Sequence, residues 1–199
     1  MSKSYLIKLA ALAGIVGPLL FAVVVTTLTI LQADFMRTLG WDPLGPVIDW
    51  PSGLALGPHG WLMTITFFVT GAMMAFFAYG LQLALHEKFA TTLLLIAGLA
   101  MMGLITATDR TLSAAPRTWH GLLHDGFFAL LGFTMMPGML LLGRVFQKND
   151  RWKGLALYTW GTLAFVIPTF WLKGVAFYVF LLAILTWSVV IGLHLRSID

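Results

Sequence analysis

Residues Tyr5 to Leu31 read YLIKLAALAGIVGPLLFAVVVTTLTIL. After Lys8 the run carries no charge, and its apolar positions are continuous rather than spaced at helical or strand period. A hydrocarbon core about 30 Å thick takes roughly 17–25 helical residues to cross. A secretory leader has an apolar stretch of only about 7–15 residues, so this longer run reads as a retained membrane helix. Backbone groups in lipid must bond one another, which leaves helices or closed barrels. Barrel strands are about 9–11 residues long and alternate in polarity, which this stretch does not do. The segment is a helix.

The rest of the chain repeats the pattern. Further apolar blocks lie at about 60–85, 91–108, 118–142, 154–171 and 175–195. With the first block at about 5–31, the expected fold is all-α: one transmembrane bundle of six helices spanning residues 1–199. Composition agrees. The chain is 59% hydrophobic and 10% charged, with a mean hydropathy of +0.91. A soluble domain has about a quarter of its residues charged.

Loop charges set the expected orientation. With the N-terminus inside, Lys3, Lys8, Lys88, Arg144, Lys148, Arg151, Lys153 and Arg196 fall on the cytoplasmic side. Arg37, Arg110, Arg117 and Lys173 fall outside. Eight against four places both termini in the cytoplasm. The same bias accounts for the net charge of +4. No basic patch interleaved with aromatics accompanies it, so nucleic acid is not an expected partner. The lipid bilayer is. The absence of cysteine removes disulfides, thiolate metal sites and cysteine nucleophiles. There is no nucleophile elbow, phosphate-binding loop or dinucleotide fingerprint.

Only one connection is long. Residues 32–59 carry Pro43, Pro46, Pro51 and Pro58 with Trp41 and Trp50. Proline prevents a continuous helix, and tryptophan favours the headgroup region, so an irregular cap over the outer mouth of the bundle is expected.

The chemistry gathers around residues 107–125, which read ATDRTLSAAPRTWHGLLHD. Pro116 suits the first position of the fourth span. His120 and His124 then stand four residues apart, about 40° around the helix and ~6 Å along it, so both rings can address one object. Two histidines at this spacing can hold a divalent metal such as zinc, with Asp109 as an oxygen ligand and His59, entering the second span, as a fourth. Asp125 lies about 10 Å into its span; a carboxylate at mid-membrane costs about 2.5–3.5 kcal/mol on insertion scales, and somewhat less near the interface. It therefore needs a partner, and Arg110, Arg117, His59, Thr64, Thr106 and Thr108 are at suitable depth. In an enzyme, Asp125 and Asp109 are the candidate catalytic carboxylates.

The same residues support other readings. They can form a structural polar network, with Asp109 paired to Arg110 or capping the fourth span with Ser113, or a metal-free proton or ligand site. Haem between His59 and His120 or His124 is a further option. His86 and His194 do not supply a second haem level, because His59 and His86 are about 40 Å apart along one helix.

Two stretches carry a family resemblance. One is Ser52-Gly-Leu-Ala-Leu-Gly-Pro-His-Gly-Trp61, running on to Phe67–Gly71 and Phe77–Leu81. The other is Thr108-Asp-Arg110 with Trp119-His-Gly-Leu-Leu-His-Asp125, followed by Phe133–Pro137 and Arg144-Val-Phe146. Together they resemble the bacterial six-span family called "domain of unknown function 998" from about residue 8 to 195. The resemblance implies six spans in a bacterial inner membrane and groups Asp109, His120, His124 and Asp125. The family commonly has an aromatic residue where this chain has His59. Two functions follow as expectations. The first is a binding or accessory protein for an apolar or lipid ligand or a membrane partner, with the His/Asp group as a structural lock. The second is a membrane-embedded, metal-dependent hydrolase or lipid-modifying enzyme.

Overall fold

The computed structural model describes residues 2–40, 51–109, 117–170 and 175–198. Within them the chain is helical. Helix α1 (Lys3–Leu31) is followed by the short α2 (Ala33–Thr38), a 3-10 turn at Pro51–Leu56, α3 (Gly60–Leu85), α4 (Phe89–Gly103), α5 (Trp119–Gln147), α6 (Lys153–Phe170) and α7 (Val175–Ser197). Each long helix packs on the next, and α7 returns to α1, so the six close into a ring.

Among the described residues, four helices (α1, α3, α5 and α7) are long and apolar enough to cross a membrane. Helices α4 and α6 are apolar too, with shorter apolar stretches among the described residues. The outward faces are apolar as well: Ile30, Phe133 and Leu157 are each more than 70% exposed. Water does not tolerate such a continuous surface, and lipid does. The chain is a helical membrane protein.

The helices and the apolar blocks differ most at the end of α4 and at the end of α5, which runs to Gln147 and not to 142. Helix α4 stops at Gly103, not at 108, and reaches only about 22 Å with its 15 residues. Tight turns close it, with Leu104, Ile105 and Thr106 donating to the carbonyls three residues back. Helix α5 begins at Trp119 with Thr118 as its cap, so Pro116 is not its first residue. Pro116, Arg110, Ser113 and the cap positions Trp41, Pro43, Pro46 and Trp50 lie outside the described residues.

Local chemistry explains the connections. Helix α3 ends on His86 in the left-handed conformation (φ 54°), and Lys3 Nζ donates to its Nε2 at 3.0 Å. The Glu87 carboxylate then accepts the N–H groups of Phe89, Ala90 and Thr91, satisfying donors that a helix start leaves orphaned. Helices α3 and α4 touch at Gly71 and Gly98. A β-carbon on Gly98 would stand 2.5 Å from the backbone nitrogen of Ala75, and one on Gly71 2.7 Å from the carbonyl of Gly98. Small residues permit that approach.

Helix α1 carries Pro18, which has no N–H to give the carbonyl of Gly14 four residues back. Ser188 Oγ of α7 donates to that carbonyl instead, at 3.0 Å. At the end where α5 finishes, Trp152 is buried, stacked on Phe146 with centroids 4.7 Å apart and met edge-on by His194 at 4.6 Å.

Candidate functional site: a polar lock and an apolar cavity

At the other end, where α3 and α5 begin, Arg117 is the centre of a charged lock. Its Nε donates to Asp109 Oδ2 at 2.9 Å, and its Nη2 donates to Asp125 Oδ2. The three side chains are partly buried, at 24%, 12% and 35% exposure for Arg117, Asp109 and Asp125. Thr118 adds to the lock, because its hydroxyl and its backbone N–H (3.2 Å) both donate to Asp109. The same hydroxyl oxygen accepts from Gly121 N at 3.1 Å, which caps α5. The Thr118 hydroxyl first, and then Arg117 working against some desolvation, hold the Asp109 carboxyl below the usual carboxylate range. Gly121 has no side chain for a geometric reason: a β-carbon there would run into the Asp109 carboxylate.

The two histidines sit beside this lock and close off the loose end of α4. His120 Nδ1 donates to Ala107 O at 3.1 Å and lies 2.9 Å from Thr118 Oγ1. His124 Nδ1 donates to Thr106 O at 2.8 Å. Just beyond the end of α4, the carbonyls of Thr106 and Ala107 are thus satisfied by two imidazoles of α5. Trp119 is exposed and meets His120 edge-on at 5.6 Å.

Asp109, Asp125 and His120 lie together, joined through Arg117 and Thr118. Arg117 was among the partners expected for Asp125; Thr118 was not singled out. His124 lies one turn further along α5, at the cavity. It is 4% exposed, packs edge-on to Phe67 at 6.4 Å, and forms part of the wall of an internal cavity. His59 is apart from both: it precedes α3, its side chain is exposed, and its backbone N–H donates to Gln32 Oε1 at 2.8 Å. Among the described residues, no three His, Asp or Glu side chains gather as a metal site requires. The expected set of His120, His124, Asp109 and His59 is divided because each histidine Nδ1 is committed to a backbone carbonyl of a different residue, and His59 lies elsewhere.

The cavity holds about 140 Å³. One water needs only about 10–15 Å³ counted in the same way. The wall is built from α1, α3, α4, α5 and α7, with Phe21, Phe67, Met74, Leu131 and Leu181 typical of it. Pro51 and Ser52 of the 3-10 turn also belong to the wall. Gln32, which sequence reading passed over, secures that turn. It is 2% exposed, and its amide donates to Leu54 O at 3.0 Å while accepting from His59 N. The available signal was an uncharged amide placed directly after an apolar span.

A family model described as "Protein of unknown function (DUF998)" matches residues 15–194. The chain belongs to the DUF998 family. Comparison with curated proteins and with solved structures returns no match. In this DUF998 protein the family match covers the lock, all but Ala13 and Gly14 of the cavity wall, and the greater part of each of the six long helices.

Proposed function

We propose that this protein is a six-span membrane protein that binds an apolar ligand inside its helix ring, with the Asp109–Arg117–Asp125 lock holding the rim of the ring closed. The observation that carries the reading is the cavity. A cavity lined almost wholly by aromatic and aliphatic side chains gains little from hydration and suits an apolar guest. A charged lock beside it gives the rim a defined geometry without placing a charge on the cavity wall. In this reading α4 and α6 also cross the bilayer, both termini are cytoplasmic, and the membrane is the inner membrane of a bacterium. The excess of Lys and Arg on one set of loops supports that orientation.

The test is capture of an environment-sensitive apolar dye by the purified protein in lipid nanodiscs. Wild type binds the dye saturably, and Leu181→Trp, which fills the cavity, reduces binding at least about tenfold. Equal dye binding by both proteins overturns the reading. A carboxy-terminal reporter that is active only in the cytoplasm tests the orientation.

A further inference from the structure

The end of the ring where α5 finishes divides into two unlike halves. On the side of α1, α3 and α4 the cations are served from within the protein. Lys3 donates to His86, Lys8 is engaged, and Lys88 directly follows Glu87. On the side of α5, α6 and α7 stand Arg144, Lys148, Arg151, Lys153 and Arg196, all exposed. Among the described residues none of these has an ion-pair partner. Asp150 is the only acid in residues 144–153 and 194–198, and Asp199 lies outside the described residues.

The fold brings these two segments together. Trp152 is buried, stacked on Phe146 of α5 and met edge-on by His194 of α7. Arg151 and Lys153 flank the tryptophan in the chain, Arg144 and Lys148 flank Phe146, and Arg196 follows His194 by two residues. Like charges gathered in this way repel one another unless an anion lies among them. Membrane orientation needs an excess of Lys and Arg on one set of loops, but it does not need them unpaired on one side of the rim.

What lies beneath the charges identifies the anion. Residues three or four apart share one face of a helix. One turn inward from Arg144, Lys153 and Arg196 are Leu140, Leu157 and Leu193, and all three leucines are exposed. Each cation therefore stands over an outward-facing apolar side chain. That is the order of a phospholipid, with phosphate at the helix end and hydrocarbon one turn deeper. A soluble acidic partner would have no use for the leucines.

We propose that this rim binds an anionic phospholipid, its phosphate diester held by Arg and Lys side chains of α5, α6 and α7 and its acyl chains lying against the exposed leucines. Guanidinium forks suit phosphate oxygens, and basic sites between membrane helices take anionic headgroups. The site is separate from the cavity and does not rest on the apolar-ligand reading.

The test offers the detergent-solubilised protein equal amounts of phosphatidylglycerol and phosphatidylcholine of the same chain length and counts the retained lipid by native mass spectrometry. Wild type is expected to retain about fivefold more phosphatidylglycerol. The triple change Arg151→Gln, Lys153→Gln and Arg196→Gln brings the ratio to about one, whereas Lys3→Gln with Lys88→Gln leaves it as in wild type. Excess glycerophosphoglycerol, the headgroup without chains, does not displace the lipid. Equal retention of the two lipids by wild type overturns the proposal, and this comparison requires no variant to fold. A preference that survives the triple change overturns the assignment to this rim. An equal loss in the Lys3 and Lys88 variant shows general charge attraction and overturns a built site. Displacement by the free headgroup assigns the rim to a soluble phosphate and overturns the lipid.

Discussion

His120 and His124 stand one turn apart on α5, yet they belong to different regions of the molecule. His120 joins the lock, touching Thr118 and Ala107 beside the paired charges. His124 joins the cavity, buried against Phe67 with its Nδ1 on Thr106 O. The lock is rich in charge, partly exposed and cross-linked; the cavity wall is apolar and sparing in polar atoms. Helical spacing alone places the two rings on one side of α5. The path of the chain after α4 then assigns them, because its unwound end offers carbonyls to both rings at different depths. A pair of histidines at this spacing is thus as well suited to closing a frayed helix end as to holding an ion.

The separation into lock and cavity can be broken at several points. The largest effect is expected at the lock. Arg117→Met leaves Asp109 and Asp125 without their shared cation, and the thermal midpoint of the detergent-solubilised protein should fall by several degrees, more than for any other single change considered. A midpoint like that of wild type would mean that the lock does not hold the rim. On the cavity side, Gln32→Leu removes both bonds that secure the Pro51–Leu56 turn and leaves a buried carbonyl and N–H unpaired. A loss of about 2 kcal/mol is expected by chemical unfolding.

A smaller effect sharpens the picture of α1. Ser188→Ala strands the Gly14 carbonyl that Pro18 cannot serve, at a cost of about 1 kcal/mol. Adding Pro18→Ala restores the helical donor and should recover most of that loss, so the two changes are non-additive in a double-mutant cycle. Additive effects would show that the Ser188 bond does not compensate for the proline.

The smallest effect is the pH dependence of the lock. Asp109 sits below the ordinary aspartate value of 3.8, so its pairing stabilises the fold fully above that value and is lost only as the pH falls through the lower, folded-state value. The thermal midpoint should therefore stay level from neutral pH down to about 4. It should decline below that, with a shallower decline in Asp109→Asn. A decline beginning near pH 6 would point to a histidine instead.

Much of the fold was legible in the residues. The start of α3 at Gly60, its end at Leu85 and the end of α1 at Leu31 fall where the apolar blocks predict. The pairing need of Asp125 was also readable, because an intramembrane carboxylate requires a partner whatever the fold. The early stop of α4 was not. Leu104 and Ile105 are as apolar as the helix before them, and the turn there depends on imidazoles that arrive from another helix. Gln32 was equally opaque, because its two partners lie 22 and 27 residues away.

The sequence by itself determined that this chain resides in lipid, since apolar blocks of that length have no stable place in water. It also determined that charge gathers around residues 109–125. Only the tertiary structure decided that Arg117 bridges two carboxylates, that the histidines part company, and that the ring encloses a cavity. The reason is one of range. Transfer of a side chain into hydrocarbon is a property of each segment taken alone, whereas a hydrogen bond depends on a partner placed within a few tenths of an ångström by a different helix.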